Sequence, residues 1–97
     1  MVDVENMIFL RRKKVLIEEI HKMISGVLVL KAKVLGEKIS ERDLIKTHNG
    51  KEGLIYKIRE IPSRMEKKEA KKGEVVVLEV VGLSKEDFRE GEVYEVS

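Results

Sequence analysis

The sequence predicts an α+β protein, with an N-terminal amphipathic helix packed on a mainly antiparallel four-stranded sheet or small barrel. Three observations predict it. Glu74–Leu83 (EVVVLEVVGL) is a valine-rich run with glycines marking its ends at Gly73 and Gly82. Arg12–Ser25 carries apolar residues at helical spacing. Val27–Leu35 and Leu54–Ile61 alternate apolar with charged residues, the period of a half-buried strand.

The Glu74–Leu83 run organises the rest. Val76, Leu78 and Val80 share one face, and Val75, Val77 and Val81 share the other, interrupted only by Glu79. β-Branched residues on both faces predict a strand covered on both sides, central in its sheet.

The chain in order supplies the remaining elements. Leu16, Ile17, Ile20, Met23 and Ile24 form a helical stripe, with Glu18, Glu19, His21 and Lys22 opposite and Gly26 as the C-terminal stop. Met1–Leu10 reads equally as an arm, a strand or a helix start. Lys13 interrupts the stripe when it is extended backwards, so Met7, Ile8, Phe9 and Leu10 are assigned a separate surface, candidate self-association residues covered by a second subunit. Ser40 with Asp43 predicts a capped turn, and His48-Asn49-Gly50 a tight one. Residues Pro62–Gly73 lack an apolar stripe, which predicts an exposed, mobile or weakly helical excursion. Ser84 and Asp87 repeat the capped turn, and Glu92–Val96 predicts a final strand.

Two segments resemble one another. Val34-Leu35-Gly36 and Ser40-x-x-Asp43 correspond to Val80-Val81-Gly82 and Ser84-x-x-Asp87. Downstream, Lys51–Ile58 corresponds to Arg89–Val96, and both tyrosines, Tyr56 and Tyr94, occupy one place in the pattern. Any strand–turn–strand unit produces part of this match by chance. If real, it builds the sheet from two similar units related by an approximate two-fold, which makes Lys33 and Glu79 equivalent positions.

Composition bounds the function. The 97 residues predict a single domain, 42% apolar and 39% charged, with a net charge of only +2. No cysteine is present, which excludes disulfides, thiol nucleophiles and cysteine-ligated zinc. Abundant Lys and Glu with Asn6 and Asn49 as the sole side-chain amides give a thermophile-like composition. No apolar run reaches membrane-spanning length and no targeting segment is visible, so no membrane partner is expected and the expected compartment is the cytoplasm.

No catalytic, cofactor-binding or metal-ligating set emerges. Glu18 and His21 have Glu-x-x-His spacing, but one helix alone cannot build a di-metal site. His48, with Asp43 to orient it, lacks a nearby nucleophile. Glu79 is costly within an apolar strand unless paired, with Lys31 or Lys33 as the expected partners. No phosphate loop, nucleophile elbow or dinucleotide fingerprint occurs.

Two basic clusters remain. Arg11, Arg12, Lys13 and Lys14 are consecutive. Residues Pro62–Gly73 hold five basic residues (Arg64, Lys67, Lys68, Lys71, Lys72) against two acidic ones, leaving the remaining chain near −1. The expected function is a non-enzymatic structural or interaction module acting as a homo-oligomer or through a protein partner. The alternative is a small nucleic-acid-binding module that contacts phosphates through Arg11, Arg12, Arg64, Lys67, Lys68, Lys71 and Lys72.

Overall fold

The structure is a computed structural model. It describes residues 13–97, so the arm at 1–10 lies outside the described residues. Among the described residues, nine strands and one 3-10 turn follow in order. They are β1 (Lys13–Ile24), β2 (Val27–Val34), β3 (Ile39–Ser40), β4 (Leu44–Lys46), β5 (Glu52–Arg59), β6 (Glu66–Lys67), β7 (Glu69–Ala70), β8 (Val75–Val81), the 3-10 turn Lys85–Asp87, and β9 (Val93–Val96). The main sheet runs β4-β9-β1-β2-β8-β5, and β4 pairs with β5 to close these six strands into a barrel. Every pairing is antiparallel. β6 extends β5, and β3 pairs with β7 apart from the barrel.

The architecture corrects the expected α+β class. Residues 13–24 form a strand, and the described residues contain no α-helix. The cause lies in two register shifts along β1, between Ile17 and Glu19 and between Ile20 and Lys22. Each inserts an extra residue, so the spacing of the strand's inward side chains stretches locally from two to three. Val15 and Ile17 are fully buried, Ile20 packs against the core, and the sum imitates a helical stripe. Gly26 does not stop a helix. Ser25 and Gly26 both have positive φ, 50° and 81°, and form the two-residue hairpin turn between Ile24 and Val27.

A second correction concerns the Pro62–Gly73 excursion. It contains β6 and β7, and Ala70 is fully buried opposite Ile39. Backbone pairing to β5 and β3 pins the lobe, which therefore needs no apolar stripe.

The barrel interior is filled by alternate residues. On β2 these are Leu28, Leu30, Ala32 and Val34, and on β8 they are Val76, Leu78 and Val80. The outward residues of β8, Val75, Val77, Glu79 and Val81, are half-buried. Both Ser-x-x-Asp segments form the same turn. Asp43 Oδ2 accepts the Ser40 N–H at 2.8 Å, and Asp87 Oδ2 accepts the Ser84 N–H at 2.9 Å. A lysine backs each carboxylate, Lys13 at 2.9 Å and Lys51 at 3.2 Å.

Candidate nucleic-acid interface

The barrel's outer surface has two unlike flanks. On one, Lys14 pairs with Glu95, Glu95 with Lys46, and Lys46 with Glu52, across β1, β9, β4 and β5. Signs alternate at every step, so this flank is charge-balanced and solvated.

The other flank joins β2, β8 and β5 to the β6–β7 lobe. Here acids are matched to individual lysines and the surplus is positive. Glu66 pairs with Lys57 at 2.7 Å, Glu69 with Lys38 at 3.2 Å, and Glu74 with Lys67 at 2.5 Å. The Lys57 ammonium holds the Glu66 carboxyl below the usual range. Lys67, and then the Lys71 N–H, does the same for Glu74. Arg64, Lys68 and Lys72 are exposed and form no salt bridge among the described residues, and neither does half-buried Lys33. Of the basic residues named from the sequence, the lobe thus gathers Lys67, Lys68, Lys71 and Lys72, with Lys67 engaged by Glu74. Arg64 instead lines a neighbouring groove. Arg11 and Arg12, like the self-association candidates Met7, Ile8, Phe9 and Leu10, lie outside the described residues.

The three candidate catalytic groups do not converge. Asp43 is committed to Lys13 and the Ser40 N–H. His48 stacks on Tyr94, with ring centroids 4.3 Å apart and planes 13° apart. Its Nδ1 lies 3.0 Å from Glu92 Oε1 and its Nε2 2.9 Å from the Val93 carbonyl, so neither nitrogen is offered to a substrate. Glu79 pairs with neither expected lysine. Its Oε2 accepts from Arg59 Nε at 2.5 Å, across to β5 rather than β2. That bond raises the Arg59 pKa. Arg59 was missed in the sequence because only the register Lys57↔Glu79, Arg59↔Val77 brings it beside Glu79. Glu18 and His21 sit on a strand, engaged by Lys31 at 3.8 Å and Glu19 at 3.4 Å. The described residues contain no cluster able to hold a metal ion, and no helix among them is long and apolar enough to cross a membrane.

The fold and its charged flank define a small closed antiparallel β-barrel with an appended basic lobe. Solved structures show the same barrel. GDP-bound aIF5B from Aeropyrum pernix matches with a TM-score of 0.75 and 23% identity over 96% of this chain. Translation elongation factor SelB from Methanococcus maripaludis, in its apo form, matches with a TM-score of 0.75 and 14% identity over 87% of this chain. The matches span 17% and 18% of those proteins' chains, so the likeness is to a part of each and establishes the fold. No protein-family model and no curated protein sequence matches the chain.

Proposed function

We propose that this chain is a non-enzymatic β-barrel module that binds RNA through the basic lobe between β5 and β8. The observation that carries the reading is the contrast between the flanks. One is an alternating row of opposite charges, while the other leaves Lys68 and Lys72 exposed without acid partners among the described residues and sets Lys71 beside them. A polyanion is attracted to such a surplus by release of its counterions. Similarity to domains of translation factors favours RNA among polyanions. The mode is backbone contact. Of the tyrosines, Tyr94 is buried and Tyr56 alone is exposed, which provides no platform for stacking successive bases.

The test is fluorescence anisotropy of a labelled single-stranded RNA titrated at several salt concentrations. Binding should weaken steeply from about 50 to 200 mM salt. Substituting Lys68, Lys71 and Lys72 together by alanine should reduce the log–log salt slope by about 2, at roughly 0.7 per phosphate contact on a single strand. Lys46→Ala, on the balanced flank, should leave the slope unchanged. Absence of binding at about 50 mM salt, or equal losses from both variants, overturns the reading.

A further inference from the structure

A groove of about 500 Å³ opens on the outer surface where β1, β2, β8 and β5 meet the β5–β6 turn. Among the described residues, three aliphatic ones line it. Val29 and Val77 are half-buried, and Ile24 is 53% exposed. Val29 pairs with Glu79 and Val77 with Arg59, so apolar and charged lining alternate across three adjacent strands.

The charges inside the groove do not cancel. Glu79 is neutralised by Arg59 at 2.5 Å, and the exposed His21 imidazole lies 3.4 Å from Glu19. Arg64 remains, its guanidinium forming no salt bridge among the described residues. Its backbone is held in place. Arg59 Nη1 donates to the Arg64 carbonyl at 3.1 Å, the Arg64 N–H donates to Glu60 O at 2.9 Å, and the Glu60 N–H donates to Met65 O at 2.9 Å. Arg64 also has a φ of 63°, a left-handed conformation that glycine or asparagine adopts at lower cost. The turn thus fixes the Arg64 backbone at the rim of the aliphatic groove, while its exposed head has no acid partner among the described residues.

We propose that this groove docks an acidic–apolar peptide segment of a protein partner. An apolar side chain of the partner lies on Val29, Val77 and Ile24, and a neighbouring Asp or Glu carboxylate pairs with Arg64. Charge complementarity selects the acidic peptide, because a guanidinium presents a donor fork that matches a carboxylate. The lining offers a nucleobase little to stack on, since among the described residues His21 is its one aromatic ring and no Phe or Tyr borders the groove. The site is separate from the proposed RNA contact, which uses Lys68, Lys71 and Lys72.

The experiment is methyl-resolved NMR of the full chain labelled at Ile and Val. Three probes are added in turn: an amidated nonapeptide with Leu and Phe flanked by glutamates, its counterpart with lysines replacing the glutamates, and a single-stranded RNA nonamer. The acidic peptide should shift the Ile24, Val29 and Val77 methyls with an affinity near or tighter than about 1 mM, and the lysine peptide should not. Arg64→Gly relieves the backbone while removing the head. It should keep or raise the melting temperature and weaken peptide binding by about tenfold, the loss expected for one charge-assisted pair. Val77→Ser should weaken it without altering the fold-reporting methyls of Leu78's neighbours Val76 and Val80. Unmoved groove methyls at about 1 mM acidic peptide overturn the proposal. So does undiminished binding by Arg64→Gly, or RNA shifting the same methyls as strongly. Loss of RNA affinity in the lobe variants bears on the other reading alone.

Discussion

Lys31 on β2 and Val77 on β8 face each other in the barrel wall, and they are also equivalent positions in the two similar sequence segments. Leu30, Ala32 and Val34 correspond to Val76, Leu78 and Val80, which places Val77 where the first segment has Lys31. A residue that pairs with its own equivalent sits on a local two-fold axis. The rest of the register agrees: Lys33 pairs with Val75 and Val29 with Glu79, two pairs that exchange under that axis. The axis relates backbones, not charges. Lys33 forms no salt bridge among the described residues, whereas Glu79 is held by Arg59 at 2.5 Å. Glu79→Ala removes the acceptor of Arg59 Nε, leaving the half-buried guanidinium only the Arg64 carbonyl at 3.1 Å and Glu66 at 3.8 Å, and should lower the urea midpoint. Lys33→Ala should leave it unchanged. Parallel urea melts of the two variants decide the point, and equal midpoints would show that Arg59 gains nothing from its partner.

Much of this barrel was legible, and the unread part has a physical cause. β2, β8 and β9 alternate cleanly enough to be placed from side-chain period alone, because each keeps one face on the core over its length. β1 failed because its two bulges rewrite the period: a strand with Val15, Ile17 and Ile20 turned inward and shifts at Glu18 and His21 has helical spacing in sequence. The tell-tale was its content of β-branched residues and the Ser25-Gly26 pair, which suits a hairpin as well as a helix end. Tyr56 shows the same effect. A register shift in β5 between Ile55 and Lys57 leaves it half exposed, while Tyr94, its counterpart in the other segment, is buried. Of the site, the basic composition of the lobe was visible, but the Arg59–Glu79 pair and the Arg64 groove depend on register and were not.

Gly53 is fixed by a close approach. A Cβ there would lie 2.6 Å from Leu83 Cδ1 and 3.0 Å from the Val81 carbonyl. Leu83 is itself buried, so it has little room to withdraw. Gly53→Ala should destabilise by about 1–3 kcal/mol through overpacking. Combining it with Leu83→Ala should cost less than the sum of the single changes, because the truncated side chain vacates the contested space. A double-mutant cycle in urea measures this, and simple additivity would refute the steric account.

Tyr94 tests a single hydrogen bond inside an aromatic cluster. Its ring meets Phe88 edge-on at 4.8 Å and stacks on His48, while its hydroxyl accepts the Arg89 N–H at 2.8 Å. Burial pushes the phenol above its usual range, so it stays protonated at neutral pH. Tyr94→Phe keeps both ring contacts and removes only the acceptor. The expected loss is about 0.5–1.5 kcal/mol. Tyr94→Ala should cost about 3–5 kcal/mol, as other buried aromatic truncations do. Comparable losses from the two would place the energy in the hydroxyl rather than in the packing.

The acid limb of stability follows from four carboxyls held below their ordinary values, Glu66, Glu74, Glu86 (chiefly by the Ser84 hydroxyl) and Asp87. For Asp87 the main cause is the Ser84 N–H, followed by desolvation in opposition and then Lys51. For Glu74 it is Lys67, and for Glu66 it is Lys57. Each group has a lower pKa folded than unfolded, so the unfolded chain binds more protons as the solution is acidified. The stabilisation is therefore complete above the unfolded values near about 4 and lost as pH falls through the folded ones. The melting temperature should be flat from neutral pH down to about 5 and decline below about 4. Asp87→Asn retains an oxygen to accept the Ser84 N–H but does not titrate, so its melting temperature should be lower at neutral pH and fall less steeply in acid. Thermal unfolding followed by circular dichroism across that range measures both slopes, and a variant that declines in parallel with the parent would remove Asp87 from the account.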